Sequence, residues 1–232
     1  MSNRRSAPRL YLITDRNATG GRPLVGVVAQ ALAGIAGSGL PAEDVAVQLR
    51  EKDLGGRALI ELARQLRALT TATGARLFIN DRIDVALAAG ADGVHLSGTS
   101  LHPADARRVA PGLALGISTH QIRELPDAVD LIDFAAFGPV RDTPSKRAYG
   151  PPLGLPALEA AARVGPPVLA LGGIGTGDVA GVIAAGAHGV ACIRAVMSAT
   201  DPAEAVRTLA QALAKALQSP LGHAPVRPPY RT

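Results

Sequence analysis

Three polar side chains stand at alternate positions in Gln48-Leu49-Arg50-Glu51-Lys52, where a short apolar run ends. A strand has period two, so the amide and both cations can share one side and converge on a polyanion. Glu51 and Asp53 interleave with them, so the stretch also reads as a solvated loop of mixed charge. Asn80 and Asp81 follow another such run in FINDR. Both offer oxygen, and Asp81 could hold Mg²⁺; the other reading is a cap for the helix that RIDVALAAG predicts. Ser118 and His120 close a third run, GISTH. The hydroxyl can hydrogen-bond a ring nitrogen, and the imidazole can exchange a proton near neutral pH, although a loop histidine is also simply solvated. His95, inside GVHL, reads as a structural residue of its strand.

A loop, GPVRDTPSKRAYG, carries Thr143, Ser145 and Lys146. Two hydroxyls and a cation suit phosphate oxygens, and the loop is long enough to act as a lid. Later come LGGIGTGD, with Gly173, and GVACIRA, with Arg194. Glycines let backbone N–H groups approach a phosphate at a short helix N-terminus, and Arg194 can pair with that phosphate or with a surface acid. These groups predict two anion sites on one rim, one of which could include Mg²⁺, to be filled by two phosphorylated substrates or by one substrate with two anionic ends.

Such a rim needs elements that end side by side. Short apolar runs at Leu10–Thr14, Ala46–Arg50, Arg76–Asn80, Gly93–Leu96, Ala114–Ser118, Phe134–Gly138, Val168–Gly172 and Gly189–Ile193 alternate with helical patterns. This grammar predicts an α/β chain forming a single (β/α)₈ TIM barrel, with its site at the strands' C-terminal ends. Asp201-Pro202 reads as an N-cap followed by proline at the first helical position, with the helix running over Ala203–Leu217. Gly90, Gly165 and Gly186 stand where helices should stop. The phrases AAGADGVHL and AAGAHGVACI are one half-unit used twice. The expected organisation is a basic segment over residues 1–8, the barrel over 9–218, and a Pro-rich tail over 219–232.

Composition narrows the class. The chain is 47% hydrophobic but only 3% aromatic, which predicts a core of Ala, Val, Leu and Ile and few stacking platforms for single-stranded nucleic acid. The net charge of +5 is partly carried by Arg4, Arg5, Arg9, Arg227 and Arg231 near the ends, read as basic tails. No nucleic-acid motif and no membrane-length apolar run is present, so neither partner is expected. Cys192 is the single cysteine, and the start lacks a secretory apolar segment, which together predict a cytoplasmic protein. Oligomeric state is left open, a homo-oligomer included.

In their order and spacing, YLITD, QLREK, INDR, GADGVHL, GISTH, GPVRDTPSK, ALGGI and GAHGVACI resemble the thiamine-phosphate synthase/TenI family, from about Leu10 to Leu217. The resemblance implies a transferase joining a hydroxymethylpyrimidine diphosphate to a thiazole phosphate, with pyrophosphate leaving before the thiazole nitrogen attacks. By that resemblance Gln48 and Ser118 contact the pyrimidine, and Arg50, Lys52 and Asn80 hold the diphosphate. Asp81 binds Mg²⁺, and Thr143, Ser145 and Lys146 grip the leaving group, with Lys146, Ser118 and His120 as catalytic groups. Gly173 and the backbone around Ile193 take the thiazole phosphate. Two positions depart from the family: Ser100 stands where synthases have a second Mg²⁺ carboxylate, and Arg194 where they have serine. The Ser100 segment is closer to the TenI branch, whose thiazole tautomerases use a histidine at the place of His120 for proton transfer. A barrel that binds thiamine precursors without turnover is a further alternative.

Overall fold

The computed structural model describes residues 7–125, 129–143 and 150–219. Strands β1 (Leu10–Ile13), β2 (Val45–Leu49), β3 (Arg76–Asn80), β4 (Gly93–Leu96), β5 (Ala114–Thr119), β6 (Phe134–Phe137), β7 (Val168–Leu171) and β8 (Gly189–Cys192) form one closed parallel barrel. Neighbours pair in chain order and β8 returns to β1, Val190 standing opposite Leu10. Each expected strand is present within one residue at either end, because each is a short apolar run bounded by turn residues.

Around the barrel lie α1 (Leu24–Ala33), α2 (Gly56–Thr73), α3 (Ile83–Ala88), α4 (Pro103–Val109), α5 (Gly154–Ala162), α6 (Val179–Ala184), α7 (Arg194–Met197) and α8 (Pro202–Gln218). Between β5 and β6 the described residues carry a 3-10 turn, Ile122–Glu124. Helix α8 begins as its sequence predicts: Asp201 Oδ1 accepts from Glu204 N at 3.0 Å, with Pro202 in the first turn. Its stripe Val206, Leu209, Ala210 and Leu213 is buried, at helical spacing, and packs against α1 and α6.

Gly90 and Gly186 take the left-handed backbone that stops a helix, at φ 62° and 89°. Gly165 does not. Helix α5 has already ended at Ala162, and Gly165 is small for a different reason: a Cβ there would lie 2.4 Å from Val129 Cγ2.

The core has two parts of different composition. Between strands and helices it is aliphatic, as the composition predicts. Along the barrel axis that expectation fails: Tyr11, Phe78 and Phe134 meet there edge to face, with ring centroids 5.3–5.5 Å apart. Ala46, Ala114 and Ala191 share that interior, and small residues on some strands leave room for three large rings on others. The few aromatics were concentrated, not absent.

At the N-terminal end of the barrel, polar groups close on one another. Asp92 Oδ2 accepts from Leu77 N at 2.8 Å and pairs with Arg67. Asp133 Oδ2 repeats this with Leu115 N at 2.7 Å and Arg107 Nη2 at 2.6 Å. Arg9 Nη1 donates to His188 O at 2.7 Å, and His188 Nε2 lies 3.2 Å from Ala7 O. Arg9 is therefore built into the barrel end, while Arg4, Arg5, Arg227 and Arg231 lie outside the described residues. Among the described residues no helix is long and apolar enough to cross a membrane.

Candidate active site

The C-terminal strand ends open on a cavity of about 760 Å³. Gln48, Arg50, Lys52, Asn80, Ser118, His120, Thr143, Gly173, Ile193 and Arg194 all line it. Ser145 and Lys146 lie outside the described residues.

The alternation after β2 sorts the charges. Glu51 is 5% exposed and faces the loop after β1, where its carboxylate accepts from Thr14 Oγ1 at 2.7 Å and from Arg16 N at 3.2 Å. Asp53 pairs with the Arg16 guanidinium, which holds its carboxyl below the usual range. Thr14 Oγ1 in turn accepts from Arg50 N at 2.9 Å and fixes the backbone there. Arg16 thus engages both interleaved acids, and Arg50 and Lys52 face the cavity without a salt bridge to any described residue. The fold thus brings Gln48, Arg50 and Lys52 to the cavity and engages Glu51 and Asp53 with Arg16.

Gln48 is 1% exposed; its Nε2 donates to Asn80 Oδ1 at 2.9 Å. Its Oε1 is buried with no hydrogen-bond partner. An orphaned buried acceptor is costly, and at a cavity wall it marks where a ligand donor belongs.

Asp81 stands at the tip of β3 in the left-handed region, at φ 60°. Its side chain makes no cap for α3, whose N-cap is Arg82. Instead the carboxylate accepts from Asn80 Nδ2 at 2.7 Å, from Ser97 N at 3.2 Å, and from the Ser100 hydroxyl. Ser100 thus hydrogen-bonds Asp81 from the very position where a second carboxylate was expected. Asp81 is partly exposed beside the wall, to which its hydrogen-bond partners Asn80 and Ser97 both contribute.

Ser118 near the end of β5 and His120 just after it both border the cavity. His120 Nδ1 donates to Gly138 O, which leaves Nε2 as its other nitrogen. Ser118 Oγ lies 2.8 Å from His95 Nε2. His95 is 1% exposed, and burial pushes its pKa down to about 3, so the imidazole is neutral. Sequence reasoning missed this neighbour of the site because its partner is 23 residues away.

The opposite wall is backbone. Gly172 and Gly173 have φ 92° and 68°, and a Cβ on either would come within 2.7 Å of the segment after β6. That segment pairs onto the end of β7, with Val140 N donating to Leu171 O at 2.8 Å and Arg141 N to Gly172 O at 3.0 Å. Arg141 Nε is anchored to Asp178 Oδ1 at 2.9 Å. Ile193, with Arg194 opening α7, completes the rim beside Gly173–Gly175. Cys192, just beneath, is buried, which raises its thiol pKa to about 12 and keeps it protonated.

Residues 10–196 match the family model described as thiamine monophosphate synthase. A Geobacter sulfurreducens protein described as a candidate thiamine-phosphate synthase is 50% identical over 203 residues, covering 86% of this chain and 92% of its own length. A thiamine-phosphate synthase of Roseiflexus castenholzii is 43% identical over 210 residues, covering 89% and 88%. Among solved structures, thiamine phosphate pyrophosphorylase from Pyrococcus furiosus superposes with a TM-score of 0.79 at 34% identity, covering 90% of this chain and 96% of that one.

Proposed function

We infer the activity from the premise that this chain belongs to the thiamine monophosphate synthase family: it is a transferase that makes thiamine phosphate. The reaction joins 4-amino-2-methyl-5-hydroxymethylpyrimidine diphosphate to 4-methyl-5-(2-phosphooxyethyl)thiazole. The C–O bond to the diphosphate breaks first, and the thiazole nitrogen donates its electron pair to the pyrimidine cation. The observation that carries this reading is the pairing of two uncompensated cations, Arg50 and Lys52, with the orphaned Gln48 Oε1 on one cavity wall.

In this reading Gln48 Oε1 accepts from the pyrimidine's amino group and Ser118 bonds a ring nitrogen. Arg50, Lys52 and Asn80 bind the diphosphate and neutralise charge as it leaves. Thr143, Ser145 and Lys146 belong to the loop that takes up the leaving pyrophosphate. Gly173 and the backbone at Ile193 bind the thiazole phosphate, with Arg194 adding a cation.

The Asp81 carboxylate, with the Ser97 and Ser100 hydroxyl oxygens beside it, suits a hard cation, and Mg²⁺ commonly takes one or two carboxylates with substrate phosphates completing its shell. Among the described residues no group of three or more His, Cys, Asp or Glu could hold a metal. In this reading Asp81 would hold Mg²⁺ together with the diphosphate, with Ser97 and Ser100 as neutral neighbours. Bound there, the ion supplies charge neutralisation to the departing pyrophosphate.

Incubation of the purified protein with both substrates and Mg²⁺ should yield thiamine phosphate and pyrophosphate, read by mass spectrometry. No product at any Mg²⁺ concentration overturns the synthase reading. The tautomerase alternative is carried by the second nitrogen of His120 in the same cavity. It requires turnover of a thiazole carboxylate phosphate alone, lost in His120→Ala.

A further inference from the structure

Beneath the cavity floor a line of polar atoms runs into the barrel axis. Tyr11 Oη lies 3.3 Å from His95 Nδ1, and His95 Nε2 lies 2.8 Å from Ser118 Oγ. Tyr11 is 0% and His95 1% exposed, whereas Ser118 borders the cavity. The imidazole is clasped by rings: its centroid is 5.5 Å from that of Tyr11 and 5.8 Å from that of Phe134. Gly116 on the next strand makes this fit, since a Cβ there would lie 2.7 Å from His95 Nδ1.

Proton counting gives this line a direction. A buried phenol must place its one proton on an acceptor. Among the described residues, the partner within reach of Tyr11 Oη is His95 Nδ1. Tyr11 therefore donates, Nδ1 accepts, and the neutral imidazole keeps its proton on Nε2. Nε2–H donates to Ser118 Oγ and occupies it as an acceptor, which turns the serine's own proton toward the cavity.

We propose that Tyr11 and His95 are positioning residues that set Ser118 as a hydrogen-bond donor, so that the site selects a ring presenting an unprotonated nitrogen there. The identity of that ring rests on the pyrimidine reading above; the direction of the relay does not. A reversed relay would leave Ser118 as an acceptor and favour a ring N–H. The two arrangements thus recognise opposite substrate chemistry with the same atoms.

The full-length protein, labelled with isotopic nitrogen at histidine, tests the relay without substrate. Long-range proton–nitrogen spectra should place the His95 proton on Nε2, and Tyr11→Phe should raise the population carrying it on Nδ1. A wild-type proton on Nδ1, or a tautomer indifferent to Tyr11→Phe, overturns the relay. Kinetics supply a second arm. His95→Leu lowers kcat/KM for the pyrimidine diphosphate by about 10- to 100-fold while leaving the KM for thiazole phosphate unchanged. His95→Gln, whose amide nitrogen can stand near the place of Nε2–H, recovers most of that loss; equal losses in both variants count against the relay. If the wild type makes no thiamine phosphate yet shows the expected tautomer and its Tyr11→Phe shift, the relay stands and the synthase reading falls.

Discussion

The two ends of the barrel handle buried polar groups in opposite ways. At the N-terminal end three charged groups meet complementary ones: Asp92 with Arg67 and Leu77 N, Asp133 with Arg107 and Leu115 N, Arg9 with His188 O. At the C-terminal end Gln48 Oε1 is buried without a partner, and Arg50 and Lys52 face open space. The same strands feed both ends, so the difference lies in what each end must do. One end seals the barrel and the other holds unmet hydrogen-bonding capacity for a ligand.

The largest expected effect breaks the sealed end. Asp133 is 4% exposed at its side chain and receives both a guanidinium and a strand N–H. Asp133→Ala leaves the Leu115 N–H without its side-chain acceptor and removes one of Arg107's three partners, the others being Leu131 O and Leu113 O, at a cost of about 3 kcal/mol in unfolding free energy. Urea midpoints read the loss, while kcat of the surviving folded fraction stays near wild type. Loss of kcat with an unchanged midpoint would erase the distinction between the ends.

The matching change at the open end is Arg50→Gln. It removes a fixed cation from the developing negative charge and lowers kcat/KM by about 10²- to 10³-fold, with the midpoint unmoved. Because Arg50 has no described acidic partner, no buried charge is stranded by its removal.

How far these two ends could be read from the sequence follows from distance along the chain. The strands were legible because apolar runs and turn residues are local signals, and the alternation Gln48, Arg50, Lys52 is local too. The fate of Glu51 and Asp53 was not, since it depends on Arg16, 35 and 37 residues earlier. His95 looked structural because its partners Tyr11 and Ser118 are 84 and 23 residues away. Arg9 looked like part of a basic tail for the same reason: its acceptor is 179 residues distant. Local pattern reveals elements, while closure of the barrel decides which polar groups are neutralised.

A smaller effect concerns acid at the sealed end. Burial, with Arg9 nearby, pushes the His188 pKa down to about 4 from an ordinary 6.5. Between those values the unfolded chain takes up a proton that the folded chain refuses, so stability present above pH 6.5 is lost as pH falls toward 4. His95, lowered to about 3, adds loss of the same sign over that window. Denaturant midpoints should therefore drop on acidification. His188→Gln should flatten the drop by on the order of 1 kcal/mol. An unchanged profile would mean that His188 accepts a proton as readily folded as unfolded.

The smallest effect sharpens the contrast within the open end itself. In the proposed reading the anion grip on one side is Arg50 and Lys52 and on the other backbone at Gly173 and Ile193, with the exposed Arg194 as an addition. An exposed cation on a solvated phosphate contributes up to about 1 kcal/mol and is screened by salt. Arg194→Ser should therefore raise the KM for thiazole phosphate by up to about fivefold at low ionic strength, with kcat unchanged. In about 0.5 M salt the variant and wild type should converge, because the Debye length has shrunk below the reach of an exposed side chain. A loss of a hundredfold, or one that persists in salt, would show that the guanidinium is the principal phosphate ligand. The backbone at Gly173 and Ile193 would then be secondary, and both anion grips of this cavity would be cationic in kind.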